Sequence, residues 1–302
     1  MRHLTLPPFV THDTVHKPSV VPVIRRPAVA GYFYPADPHA LARQVGEFTQ
    51  RSIEPVPAVA VLLPHGGYRH AGAIAGTTLA RVQVPRRCIL VGPSHAGSWM
   101  PWSLMTSGAY RTPLGDVPVD EAAAEALRTR CPFLEADAWV QRGEHALEVL
   151  VPFLQRLAPS DLQIVPIITT SDDPEAFDRL AGALAQVVRL LEEPVLLIAS
   201  SDLSHYEPRA AGAVRDRALL TALRALDTTR LLHEVREQGT LMCGYGAAAA
   251  VFGAASRLGA RSAVVAAYGT SADADGDPDS VIGYAGLIIR ESQDDEELPR
   301  PP

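Results

Sequence analysis

The feature that most constrains this chain is a pairing that recurs along it: a short run of Val, Ile and Leu, then an Ala/Leu/Arg segment of helical period. VPAVAVLLP is followed by GAIAGTTLARV, LQIVPIIT by FDRLAGALAQVVRLL, and PVLLIAS by AAGAVRDRALLTALRAL, with RCILVGP as a further apolar run among them. Short continuous apolar runs read as strands buried on both faces, and helices with one apolar face are what cover them. The alternation predicts an α/β fold: one domain with a central, mostly parallel sheet flanked by helices. Further on, GYGAAAAVFGAASRLG reads as a small-residue helix able to pack closely, and SAVVAAYG and VIGYAGLIIR as additional strands. With 302 residues, 47% of them hydrophobic, the chain has enough material for one full core.

Both ends fall outside this alternation. The first two dozen residues are rich in Pro, His and Thr without periodicity, and ESQDDEELPRPP joins an acidic run to prolines. Residues 1–24 are therefore expected to form a flexible extension, 25–290 the domain, and 291–302 a disordered acidic and Pro-containing tail. The balance of 27 basic against 34 acidic residues, with no long basic run, argues against nucleic acid as a partner. No apolar stretch is long enough to cross a bilayer and the N-terminus lacks the apolar segment of a secretory signal, so a soluble, cytoplasmic protein without membrane partners is expected. The three cysteines show no CxxC spacing, which argues against a disulfide framework or a zinc knuckle. The acidic loop SADADGDPDS lacks the glycine and glutamate positions of a calcium loop and reads as a solvated turn.

Chemistry enters where the predicted strands stop. Open α/β sheets bind ligands beyond the carboxyl ends of their strands, and here LLPHGGY ends in His65, ILVGPSHAG in His95 and LLIASSDLSHY in Asp202 and His205. Ser201 or Asp202 could instead cap the following helix, but recurrence at several strand ends favours a site. Two imidazoles can supply two ligands to a first-row metal. Cys243, in LMCGYG, is the candidate for the third, because a thiol at a helix N-terminus should be shifted toward thiolate. The competing reading of Cys243 is a small buried hydrophobe, the one adopted for Cys88 and Cys131. GEHALEVLVPFLQRL places Glu144 and His145 at the start of an amphipathic helix with Leu147, Leu150, Val151 and Leu154 on its apolar face. Glu144 could serve only the helix dipole and His145 could be a half-buried core histidine; spacing alone does not bring them to a pocket.

The segments RRPAVAGYFYPADPHAL, LLPHGGYRHAGAIAG, ILVGPSHAG, TPLGDVPVD, EHALEVLVPFLQ, IVPII, SSDLSHY, MCGYG and SADADGDPDSVIGYAGLII follow one another as the motifs of the MEMO-like family do. The resemblance runs from Arg26 to Ile289 and includes protein B of the AmmeMemoRadiSam system. That family in turn resembles class III extradiol ring-cleavage dioxygenases. The likeness implies a metal pocket at strand ends with His65, His95 and Cys243 as ligands. It implies that Asp202 and His205 line the pocket with His205 transferring protons, that His145 is a second pocket histidine, and that Tyr68 and Glu144 are further lining residues. Iron or copper is the implied metal, with zinc as a third candidate, since a thiolate in place of a carboxylate softens the site and adds an oxidisable sulfur. A metal-dependent redox enzyme acting on a small aromatic or chelating substrate, with His205 oriented by Asp202 as general acid/base, is one implied function. The other is a non-catalytic module that binds a metal or a peptide and works through AMMECR-type and radical-SAM partner proteins. One departure is Gly66, where the family more often has Ala.

Overall fold

The computed structural model describes residues 23–50, 53–97 and 100–291. The expected flexible extension and acidic tail lie outside these residues, apart from their inner edges, where Ile24 and Glu291 are strand residues. The strands in chain order are β1 (Ile24–Arg25), β2 (Ala60–Leu63), β3 (Arg87–Pro93), β4 (Trp102–Leu104), β5 (Ala109–Thr112), β6 (Gly115–Pro118), β7 (Glu135–Ala136), β8 (Gln163–Thr169), β9 (Val195–Ser200), β10 (His205–Glu207), β11 (Ala260–Thr270) and β12 (Val281–Glu291). The helices are α1 (Pro38–Phe48), α2 (Ala73–Ala80), α3 (Glu121–Arg130), α4 (Val151–Leu157), α5 (Pro174–Leu190), α6 (Arg209–Arg224), α7 (Thr228–Arg236), α8 (Tyr245–Arg257) and α9 (Ala272–Asp275).

The large sheet has the order β10-β12-β2-β9-β3-β8-β4-β7, with β11 added beside β12. Its centre, β2-β9-β3-β8, is parallel, and antiparallel pairings attach β12 to β2 and β4 to β8 on the two flanks. The fold is thus the expected α/β domain, with a mixed sheet whose parallel part lies in the middle. Every residue of β2 and β9 is buried, which is why these segments read as unbroken apolar runs rather than alternating ones. Burying each such Val, Leu or Ile contributes roughly 1.5–3 kcal/mol.

Helix starts follow from sequence. Asp37, Asp120, Asp173 and Asp227 each accept a first-turn amide of α1, α3, α5 and α7, at 2.8–3.0 Å. The segment from Glu144 departs from expectation. Glu144 and His145 stand in a turn, a 3₁₀ turn follows at Glu148–Leu150, and the α-helix begins only at Val151, with Pro152 in its first turn. A proline in the first turn is compatible with a helix start, because the N–H it lacks would have no intrahelical partner there. A small second sheet, β1-β5-β6, was not anticipated, because its strands are short and carry little apolar pattern. The acidic loop near the C-terminus forms α9 and a turn, and its carboxylates are partnered: Asp273 with Arg209, and Asp275 with Arg69 and the His70 ring. Among the described residues no helix is long and apolar enough to cross a membrane.

Candidate metal centre

Because β9 is inserted between β2 and β3, the ends of these strands lie side by side. His65 and His95 each follow their strand by two residues, as Asp202 follows β9. Cys243 reaches the same edge from the loop before α8. Gly244, the N-cap of α8, donates its N–H to Ser201 Oγ at 2.9 Å, and a Cβ at this position would stand 2.1 Å from the Ser200 carbonyl oxygen. Only glycine lets the loop carry Cys243 this close to β9. Ser201 therefore does cap a helix, but α8 rather than the one that follows it in sequence.

The Cys243 sulfur lies 3.2 Å from His65 Nε2 and accepts the Asp202 amide at 3.3 Å. One ligand atom each from His65, His95 and Cys243 lies within 4.8 Å of the others. Tetrahedral coordination at bond lengths near 2.1 Å needs ligand atoms about 3.5 Å apart, and the His65–Cys243 pair stands close to that separation. Two imidazole nitrogens and a sulfur suit copper, zinc or iron rather than a hard cation. Asp202, His205 and Cys243 form an adjoining group with the same 4.8 Å spacing, as do His95, Glu144 and His145. The His145 ring is 4.6 Å from that of His95 and 5.5 Å from that of His65, with Phe33 packed edge-on at 4.8 Å.

Each group is held from behind. Glu144 Oε1 lies 3.0 Å from His95 Nδ1, and the same carboxylate accepts the amides of His95, Ala96, His145 and Ala146. A carboxylate only accepts, so His95 carries its proton on Nδ1 and turns Nε2 outward. Burial alone would raise the Glu144 carboxyl, but the hydrogen bond and charge of His95 and the Ala146 amide outweigh it and hold it at about 2. His65 is buried, with Nδ1 2.8 Å from Ser200 Oγ, and burial together with the neighbouring His95 and His145 keeps it well below the ordinary histidine range.

Three expectations need correction. The thiol of Cys243 is pushed up, not down: burial and the nearby Asp202 carboxylate outweigh the amides that point at the sulfur, so the thiolate forms only when a cation takes the proton's place. His205 is oriented by main chain rather than by Asp202, since its Nδ1 donates to the Leu203 carbonyl at 2.7 Å. Asp202 instead accepts the amides of His65 and Gly66 at 2.8 and 3.3 Å, and burial raises its carboxyl. Tyr68 does not line the pocket: its ring packs on Phe153 in the core and its hydroxyl donates to the Val149 carbonyl at 2.8 Å. The space a methyl group would need at Gly66 is taken by the Tyr284 ring, 2.9 Å from where a Cβ would stand.

Beside Cys243 a cavity of about 230 Å³ opens between Ser94, Thr169, Thr170 and the first turn of α8. A larger one, about 350 Å³, lies around Pro57, Pro194 and Arg290 at the opposite end of the strands, away from every ligating side chain described above. Sequence reasoning missed Ser200 and Phe33. Ser200 gave one usable signal, a hydroxyl at the last position of a fully apolar strand; Phe33 gave none.

Comparison with known proteins places the chain in a family. A model of the Memo-like protein family matches residues 25–288. A MEMO1 family protein of Methanopyrus kandleri is 34% identical over 279 residues, covering 88% of this chain and 99% of its own; one from Aquifex aeolicus is 34% identical with the same coverage. A third, from Methanothermobacter thermautotrophicus, is 35% identical and is covered in full. The crystal structure of an uncharacterized protein from Escherichia coli K12 shares the fold with a TM-score of 0.51 at 16% identity, covering 76% of this chain and 98% of that one. By the length of the match and the level of identity, the chain belongs to the Memo-like protein family.

Proposed function

We propose that the chain is a metal-dependent, dioxygenase-like redox enzyme. It holds iron or copper on His65, His95 and Cys243 and acts on a small aromatic or chelating molecule. One observation carries the reading: two imidazoles and a thiol converge within 4.8 Å at the carboxyl edge of the sheet. Bound there, such a metal supplies electron transfer and open coordination positions for a chelating substrate. The protein's own part is proton handling and positioning. His205 has its Nδ1 spent on Leu203 and stands with Asp202 and Cys243 in one group within 4.8 Å, which leaves Nε2 to serve as general acid/base. Asp202 fixes the main chain of His65 and Gly66, and its carboxyl, raised by burial, stands beside the sulfur. Zinc in place of iron or copper would leave a centre without redox chemistry of its own.

The test is metal content by mass spectrometry on untagged protein purified anaerobically. Near-stoichiometric iron or copper is expected, absent from His95→Ala and Cys243→Ala. His205→Ala should keep its metal and lose oxygen consumption with catechol-type substrates. Unchanged metal content in Cys243→Ala would overturn the ligand set.

A second reading is supported by exposed apolar groups beside His205: Tyr206 is 72% and Leu241 60% exposed. Such a rim suits docking of a peptide or protein without turnover. Protein that takes up no metal on reconstitution would favour it, and AMMECR-type and radical-SAM proteins, suggested by family resemblance, would then be the partners to test first in a cytoplasmic setting.

A further inference from the structure

We infer that the main-chain groups of Ala146 preset both histidine ligands in the Nδ1–H tautomer, which leaves Nε2 free for a metal, with Ser200 as positioning residue for His65 and Glu144 for His95. The purpose assigned to this device rests on the metal-centre reading; its geometry does not.

The Ala146 carbonyl can only accept, and Ser200 Oγ lies 2.6 Å from it, so the single hydroxyl hydrogen of Ser200 points there. The same oxygen lies 2.8 Å from His65 Nδ1. With its hydrogen already spent, Ser200 accepts from the ring. His65 therefore carries its proton on Nδ1 and keeps a free lone pair on Nε2, the atom 3.2 Å from the Cys243 sulfur. Turning the Ser200 hydrogen toward His65 would leave two oxygens 2.6 Å apart with nothing between them, at a residue that is 0% exposed and beyond the reach of water.

The amide side of Ala146 completes the arrangement. It donates to Glu144 Oε1 at 2.8 Å, and that oxygen receives His95 Nδ1 at 3.0 Å. One residue thus anchors both holders, its C=O through Ser200 to His65 and its N–H through Glu144 to His95. Two ligands on different strands are locked with Nε2 free by a turn that contributes neither of them. Outer partners of this kind fix ring orientation and tautomer in metal sites generally. Neither the hydroxyl of Ser200 nor the main chain of Ala146 need touch the metal.

The test begins on the metal-free protein. Long-range ¹H–¹⁵N spectra of the imidazoles, in mildly alkaline buffer, should show His65 and His95 protonated on Nδ1. A spectrum with the His65 proton on Nε2 overturns the inference without any variant being made. In Ser200→Ala, His65 should populate both tautomers while His95 keeps one, and affinity for Zn²⁺, measured by chelator competition, should fall roughly 10–100-fold. A folded Ser200→Ala protein that retains a single Nδ1–H form and wild-type Zn²⁺ affinity also overturns it. If Ser200→Ala does not fold, the wild-type spectrum decides. Should the wild type bind no Zn²⁺ at all, the metal reading fails on that ground, and the tautomer assignment still stands or falls by its own spectrum.

Discussion

The loop from Gln141 to Glu148 separates two polar clusters, one buried and one partly open to solvent, that are finished in opposite ways. Behind the loop, Glu148 accepts from Arg25, from the amides of Ala28 and Val29, and from the Tyr34 hydroxyl. Arg25 spends its remaining donors on the carbonyls of Gln141 and Glu144. Gln141 in turn binds Tyr110, Ser103 and Pro166. In front of the loop, His95 and His205 are each held through Nδ1 only, and Cys243 faces His65 across a gap of metal-binding size. A closed network fixes a backbone; one satisfied on its outer side alone is arranged for an arrival. The first cluster holds the loop, and the loop holds the second.

This contrast can be broken at several points. The largest effect is expected from Arg25→Met, which leaves the Glu148 carboxylate buried without its counter-ion: about 3–5 kcal/mol of stability should be lost, read from denaturant midpoints. Next is Glu144. Its carboxyl lies at about 2, below the ordinary 4.5, so its stabilisation is fully present above the ordinary value and is lost as pH falls toward 2. That contribution is on the order of 3 kcal/mol. Glu144→Gln should be less stable at neutral pH and lose this part of the acid sensitivity, as denaturation series from neutral to acid pH would show. Cys243→Ala belongs to the open cluster and should change stability by no more than about 1 kcal/mol while abolishing metal uptake; a large destabilisation would make the sulfur a core group and blur the distinction. Smallest is Glu125→Gln, which removes an exposed i,i+3 partner of Arg128 and should leave the thermal midpoint unchanged.

Sequence exposed the two clusters unequally for physical reasons. The strands carrying His65, His95 and Asp202 are buried on both faces, so their apolar runs announced both the sheet and the places where it stops. Motif resemblance then supplied Cys243, which spacing alone left undecided. Hidden from sequence was everything that depends on contacts across the chain. Arg25 and Glu148 are 123 residues apart, and neither sits in a motif that proclaims an ion pair. Tyr68 adjoins the PHGG segment, yet its ring turns into the core at a π-turn spanning Tyr68–Gly72. The Cys243 thiol was misjudged because proximity to a helix start was weighed without the burial, and after it the Asp202 carboxylate, that the fold imposes on the sulfur.

The distance in sequence between His65 and Cys243, 178 residues, has a consequence for when the centre comes into being. On a chain emerging from its N-terminus, Arg25, Glu148 and both ligand histidines are available long before the sulfur. Contacts so far apart in sequence are among the slowest to form. On the proposed ligand set, a chain that stalls before α8 would offer the two imidazoles without the sulfur. Loading of the proposed centre would then be the last act of assembly, and a metal held by all three groups would mark a molecule whose synthesis has passed Cys243.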